Sequence, residues 1–170
     1  AVESDGSALE YASYALRNDR EVVLAAVNQN GKCLKFASYN LRNNREIVMA
    51  AIENNSYAFV YASHALRNDR EVLLAAVKEN GRELHPILFA RPNFRDDLEI
   101  VMAAVNQNVL LPEYARTKRL GNKEVLMAAI SHDGRALFLA TPRLYHDKEV
   151  VMAAVRQNGL ALTYARDELL

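Results

Sequence analysis

Tryptophan is absent from this chain of 170 residues, and cysteine occurs once. A lone Cys33 has no partner for a disulfide within the chain and no second thiol for a zinc site. Neither sign of charge dominates, because 21 basic residues balance 21 acidic ones. That balance removes the net field on which a nucleic acid or an acidic membrane surface draws, so neither is favoured as a partner. No apolar run approaches the roughly 20 residues needed to span a bilayer, and no signal peptide is visible. The chain is therefore expected to be soluble, and a reducing compartment such as the cytoplasm suits it. Recognised catalytic and phosphate-binding signatures are missing too: there is no Walker-type loop, no Gly-x-Ser-x-Gly elbow and no Gly-x-Gly-x-x-Gly.

What is present is repetition. Glu21-Val-Val-Leu-Ala-Ala-Val27 returns from Glu46, Glu71, Glu99, Glu124 and Glu149, at spacings of 25, 25, 28, 25 and 25 residues. One supersecondary unit copied in tandem accounts for almost the whole chain. A unit this short cannot close a core alone, so its stability must come from stacking on its neighbours. The composition, 51% hydrophobic and 25% charged, supplies enough apolar material for that. The expected fold is all-α, an α-solenoid of about six 25-residue helix-turn-helix repeats forming a single array over 1–170. Its one irregularity is the three-residue insertion within 81–98. Ala1-Val-Glu-Ser-Asp-Gly6 aligns with Ala26 to Gly31, and Leu169 shares the column of Leu16, Leu41 and Leu66. The array is accordingly expected to continue past both ends of the chain, as a fragment of a larger protein.

Each repeat reads as two helices. Asn18-Asp-Arg-Glu21 has capping-box spacing, repeated from Asn43, Asn68 and Asp96 and weakened at Gly121 and His146. Six apolar residues follow, which predicts a first helix covered on most of its faces. Gly31, Gly81, Gly134 and Gly159 are expected to end it in the left-handed conformation, with Asn55 and Asn108 doing so where glycine is missing. The second helix, Gly6 to Leu16, carries an apolar stripe of Ala8, Leu9, Ala12 and Leu16 and should form an amphipathic outer layer.

The combination Leu-Arg-Asn-Asp-Arg-Glu-Val-Val-Leu-Ala-Ala-Val, then Gln-Asn-Gly and Leu-x-Tyr-Ala-Ser, resembles the tandem repeats of domain of unknown function 4116. The resemblance covers essentially all 170 residues. It implies an array within a larger protein and carries no catalytic residues.

Chemistry usually needs a residue once, whereas a scaffold residue recurs in every unit. The recurring glutamates therefore read as caps rather than general bases. Met49, Met102, Met127 and Met152, in the column of Leu24 and Leu74, read as core fillers. Cys33 shares a column with Ala8, Ala58, Ala136 and Ala161 and reads as a small filler as well. His64, His85, His132 and His146 fall in four different columns without metal-ligand spacing, as exposed or turn residues. Tyr11, Phe36, Tyr61, Tyr114 and Tyr164 share a column expected to be buried across the repeat interface. No catalytic residue, cofactor or metal is expected.

Two basic columns remain. Arg17, Arg42, Arg67 and Arg95 precede the cap, while Arg20, Arg45, Arg70, Lys123 and Lys148 lie in the first helical turn, where a cation opposes the helix dipole. Ion pairs with neighbouring carboxylates are the favoured compensation. The expected function is a non-catalytic scaffold mediating protein–protein interaction. Its candidate surface comprises Arg17, Arg42, Arg67, Arg20, Arg45 and Arg70 with Tyr14 and Tyr39. The alternatives are phospho-ligand or RNA binding along that arginine ladder, and regulation of an enzyme domain outside this chain.

Overall fold

The computed structural model describes residues 6–79, 94, 96–107 and 121–164. Long α-helices recur in register with the sequence repeat: α1 (Arg20–Gln29), α2 (Arg45–Asn54), α3 (Arg70–Lys78), α4 (Leu98–Asn106), α5 (Lys123–His132) and α6 (Lys148–Gln157). Among the described residues there is no strand. The chain divides into two compact units, Ala1–Phe94 and Arg95–Leu170, and the division falls in the segment with the insertion. In the first unit α1 packs on α2 and α2 on α3; in the second α4 packs on α5 and α5 on α6. Sequential packing of copied units is the expected solenoid architecture.

The long helices start one residue later than their spacing suggested. Asp19 is the N-cap of α1, accepting from the backbone N–H groups of Glu21 and Val22 at 3.0 Å each. Asn44, Asp69, Asp97, Asn122 and Asp147 cap the other five. The cap consequently does not weaken at Gly121 or His146, because Asn122 and Asp147 follow them. Asn18 instead closes a separate turn, Tyr14–Arg17. Glutamate thus stands at the second helical position, too early for the reciprocal bond of a capping box, which needs the third.

The expected second helix is in fact two. Gly6–Tyr11, Gly31–Phe36, Ser56–Tyr61, Gly134–Leu139 and Gly159–Tyr164 are 3-10 helices. Single-turn α-helices follow at Tyr14–Arg17, Tyr39–Arg42, His64–Arg67 and Pro142–Tyr145. Ser13, Ser38 and Ser63 interrupt the run, each accepting from a backbone N–H three residues on. A serine hydroxyl offers the main chain a local partner in this way and starts the following turn; at Thr141 the same break occurs without a side-chain bond, immediately before Pro142.

Burial follows the ten-residue geometry. Val23, Ala26 and Val27 of α1 are fully buried, as are Ile47, Val48, Ala51 and Ile52 of α2 and Val72, Leu73, Ala76 and Val77 of α3. Leu9, Leu34, Phe59 and Leu137 of the 3-10 layer complete the core, and Cys33 is the buried filler its column predicted. Two columns depart from expectation. Leu24, Met49, Leu74, Met102 and Met127 are half-buried and Met152 is exposed, so these are not core fillers. One residue after the buried Val23, a 100° step turns the chain outward. Tyr11 is 87% exposed, with Phe36 and Tyr61 half-buried, so the aromatic column lies along the outside of the 3-10 layer. Leu16, assigned to the apolar stripe, is 46% exposed, whereas Leu41 in the same column is buried. Tyr114, His85, Gly81, Asn108 and Arg95 lie outside the described residues, as does the side chain of Tyr164.

Glycine serves close approach, not left-handed geometry. A Cβ on Gly31 would lie 2.1 Å from the Ala51 carbonyl oxygen, and one on Gly134 would lie 2.5 Å from that of Ala154. Neither glycine has a positive φ, and Asn55, at φ −153°, is extended as well. The Gly31 N–H donates to Asn54 Oδ1 at 2.7 Å while Asn54 Nδ2 donates to the Asn28 carbonyl at 2.9 Å, so one amide clasps the end of the preceding helix. Gln157 clasps Gly134 and His132 in the same manner.

Two stability predictions follow from this packing. Ala76→Leu should cost about 1–3 kcal/mol by overpacking, read as a lowered urea midpoint. Gly31→Ala should also destabilise, whereas Gly159→Ala, with nothing within 4 Å of an added Cβ, should leave the midpoint unchanged or slightly raised.

Candidate interaction surfaces

Each long helix turns four positions outward. On α1 these are Glu21, Leu24, Ala25 and Asn28; on α2 they are Glu46, Met49, Ala50 and Glu53; on α3 they are Glu71, Leu74, Ala75 and Lys78. The centre of this face is apolar and half-exposed, and its two ends are charged or polar. In the second unit Met127, Met152 and Ala153 form the floor of a shallow depression of about 550 Å³, with Lys148, Glu149 and Arg156 around it.

The cations of the first helical turn are tied across repeats. Arg20 Nη2 reaches Glu46 Oε2 at 2.5 Å; Arg45 reaches Asp69 at 2.6 Å and Glu71 at 2.5 Å. Lys123 Nζ reaches Asp147 at 2.8 Å and Glu149 at 2.6 Å. A cation that opposes its own helix dipole is thus compensated by the cap and glutamate of the next helix. Glu46, Glu71 and Glu149 are acceptors for the preceding repeat, not capping-box partners. These pairs lie at the surface, where solvent screening leaves each only a small net contribution to stability.

Arg17, Arg42 and Arg67 behave differently. They are half-buried at the ends of the single-turn helices, and among the described residues their side chains make no hydrogen bond or ion pair. The backbone around them is pinned: the Ser38 N–H donates to the Arg17 carbonyl and the Ser63 N–H to that of Arg42, each at 2.8 Å. Ser38 and Ser63 also donate their hydroxyls to Asn18 and Asn43, at 2.6 and 2.5 Å. Tyr14 and Tyr39, which begin the same two helices, are 73% and 62% exposed. The predicted site residues therefore separate into an ion-paired ladder headed by Arg20 and Arg45, and an unpaired arginine row beside exposed tyrosines. Arg70 also has an interaction partner.

The apolar stripe of Leu24, Met49 and Leu74 was missed as surface. Its signal lay in the six-residue run itself, since ten residues of helix cannot bury every side against two layers. Among the described residues no group of His, Cys, Asp or Glu is arranged to hold a metal ion, and no helix is long and apolar enough to cross a membrane. His64, His132 and His146 are exposed.

Copied helical units, each packed on the next within its compact unit, define a helical-repeat protein. The family model described as Domain of unknown function (DUF4116) matches residues 1–42, 44–88 and 122–170, and the chain belongs to that family. Each matched segment spans nearly two of the 25-residue repeats, and the gap between the second and third contains much of the irregular region. No curated protein and no solved structure matches the chain.

The ladder has a pH signature. The hydrogen bond from Lys123 is the main cause holding Asp147 below its ordinary 3.8, and the bond to Asp147 in turn raises Lys123 above 10.5. Burial pulls Asp69 upward but is outweighed by the Val72 N–H and Arg45, and Arg135 lowers Asp133. A depressed carboxylate contributes stability that is present above the unfolded value and lost as pH falls through the folded one. The raised lysine contributes below 10.5 and loses its share as pH rises through its folded value. Asp147→Asn keeps a capping oxygen, as at Asn44 and Asn122, while removing the charge. Its melting temperature should fall less steeply than the wild type's between about pH 5 and pH 2; superimposable acid limbs would count against the pair.

Proposed function

We propose that the array is a non-catalytic scaffold that binds another protein along the outward face of its long helices. One observation carries this reading: Leu24, Met49 and Leu74, each beside an alanine, are half-exposed at the same position of three successive helices. Apolar area left in water is worth roughly 25 cal/mol per Å² to whatever covers it. Alanine lets a partner's backbone come close, and an unbranched methionine adapts its shape to what it meets. The flanking ion pairs cap the stripe at one end, which favours recognition by a protein with an apolar ridge and a charged rim.

Leu24→Gln, Met49→Gln and Leu74→Gln together form the test. Because these side chains are half-exposed, the triple variant should keep its fold by circular dichroism. A partner captured by the wild type, then purified, should bind the variant at least about tenfold more weakly, equivalent to 1.4 kcal/mol. Equal affinity for both proteins by calorimetry overturns the assignment of this face.

A further inference from the structure

We infer that Arg17, Arg42 and Arg67 form a row that takes an extended acidic peptide, with one carboxylate for each arginine. This surface is separate from the apolar stripe and does not depend on it. The argument begins with what the arginines lack. In each of the three, Nε is shut off from solvent without an acceptor, while the terminal nitrogens are neither buried nor bonded. The guanidinium therefore lies against the protein along its inner edge and turns its outer edge to solvent. Stem and Nε are held by packing, so little side-chain freedom remains to be lost when an anion arrives. The free outer edge has the fork geometry that a carboxylate fills with two parallel hydrogen bonds.

Contrast within the same chain strengthens the point. Arg20 and Arg45, only three residues further on, each have a carboxylate at 2.5 to 2.6 Å. The same neighbourhood could have supplied acids to the first column and does not.

Register selects the ligand. Successive helices of a stacked array lie about 8–10 Å apart, and the Ser38–Arg17 and Ser63–Arg42 backbone bonds keep the row in step with that stacking. A peptide in the extended polyproline II conformation advances about 3.1 Å per residue with three residues per turn, so every third side chain lies on one face and meets the next arginine. Acids at positions i, i+3 and i+6 match the row, with the residues between them free to lie on Tyr14, Tyr39 and exposed His64. Those three residues each stand three positions before an arginine, a spacing that places them on the same side of the helix. A nucleic acid carries a phosphate at every step. The intervening phosphates would find no matching cations on a chain of zero net charge.

The test uses the 170-residue protein and three probes. One is a peptide with glutamates at every third position and Gly-Ser between them; the second has the same composition with its glutamates contiguous; the third is a single-stranded RNA oligonucleotide of matched length. Titration is followed on the arginine Nε–H resonances by NMR. The spaced peptide should shift Arg17, Arg42 and Arg67 together and bind several-fold more tightly than the contiguous one. Arg17→Gln, Arg42→Gln and Arg67→Gln combined should weaken it by roughly ten- to hundredfold. Arg→Lys at the same positions keeps the charge and tests the fork, and should recover only part of the affinity. Arg20→Gln with Arg45→Gln should leave binding unchanged, which separates this row from the ion-paired ladder. Equal binding of the two peptides, undiminished binding by a folded Gln variant, or tighter binding of RNA than of the spaced peptide would overturn the inference.

Discussion

The side-chain cap at the start of each long helix is the constraint from which the rest of the repeat unfolds. Asp19, Asn44, Asp69, Asp97, Asn122 and Asp147 all accept from the first-turn backbone N–H groups. Such a cap is worth about 1 kcal/mol, comparable with the best that an exposed ion pair offers. More important is that it fixes where the helix begins. Once Arg20 is the first helical residue, Val23, Ala26 and Val27 must turn inward and Leu24 and Ala25 outward. The same start brings Arg20 to the end of the helix from which it bridges to Glu46 of the next repeat.

Interactions between repeats are short, local and repeated. The Asn54 and Gln157 amides clasp the end of the preceding helix, Ser38 and Ser63 bond the preceding single-turn helix, and Arg45 and Lys123 reach forward. None of these spans more than one unit. Cohesion is therefore a sum of nearest-neighbour terms, which explains how a sequence block of only 25 residues builds a core it cannot close alone.

Buried and outward positions also divide the labour between folding and recognition. The second alanine of each pair, such as Ala51 or Ala76, is fully buried where helices meet, and the first, such as Ala50 or Ala75, is half-exposed. Two identical adjacent residues thus serve opposite faces. Similarly, Arg17 and Arg20 look interchangeable as two basic columns, yet one is left without an acceptor and the other is held by a carboxylate. The pairing follows from reach: Arg20 begins a long helix beside the cap of the next, whereas Arg17 ends a turn whose nearest polar contacts are backbone and serine.

The sequence by itself determined the period, the helical class, the buried Cys33 column and membership of the family, because a copied apolar block has one stable solution: stacking. It also carried both arginine columns and Tyr14 and Tyr39 as candidates. Tertiary structure alone decided which of those arginines were neutralised, because a partner 24 to 26 residues away is adjacent only after the helices stack. It likewise decided that Gly31 is needed for its missing Cβ, since Ala51 approaches only in the folded array. The one-residue shift of the cap, the serine break after Tyr11 and the outward turn of Met49 belong with these. Asn18 and Asp19 are both good caps locally, and only packing of Val23 and Val27 against the neighbouring layer chooses between them.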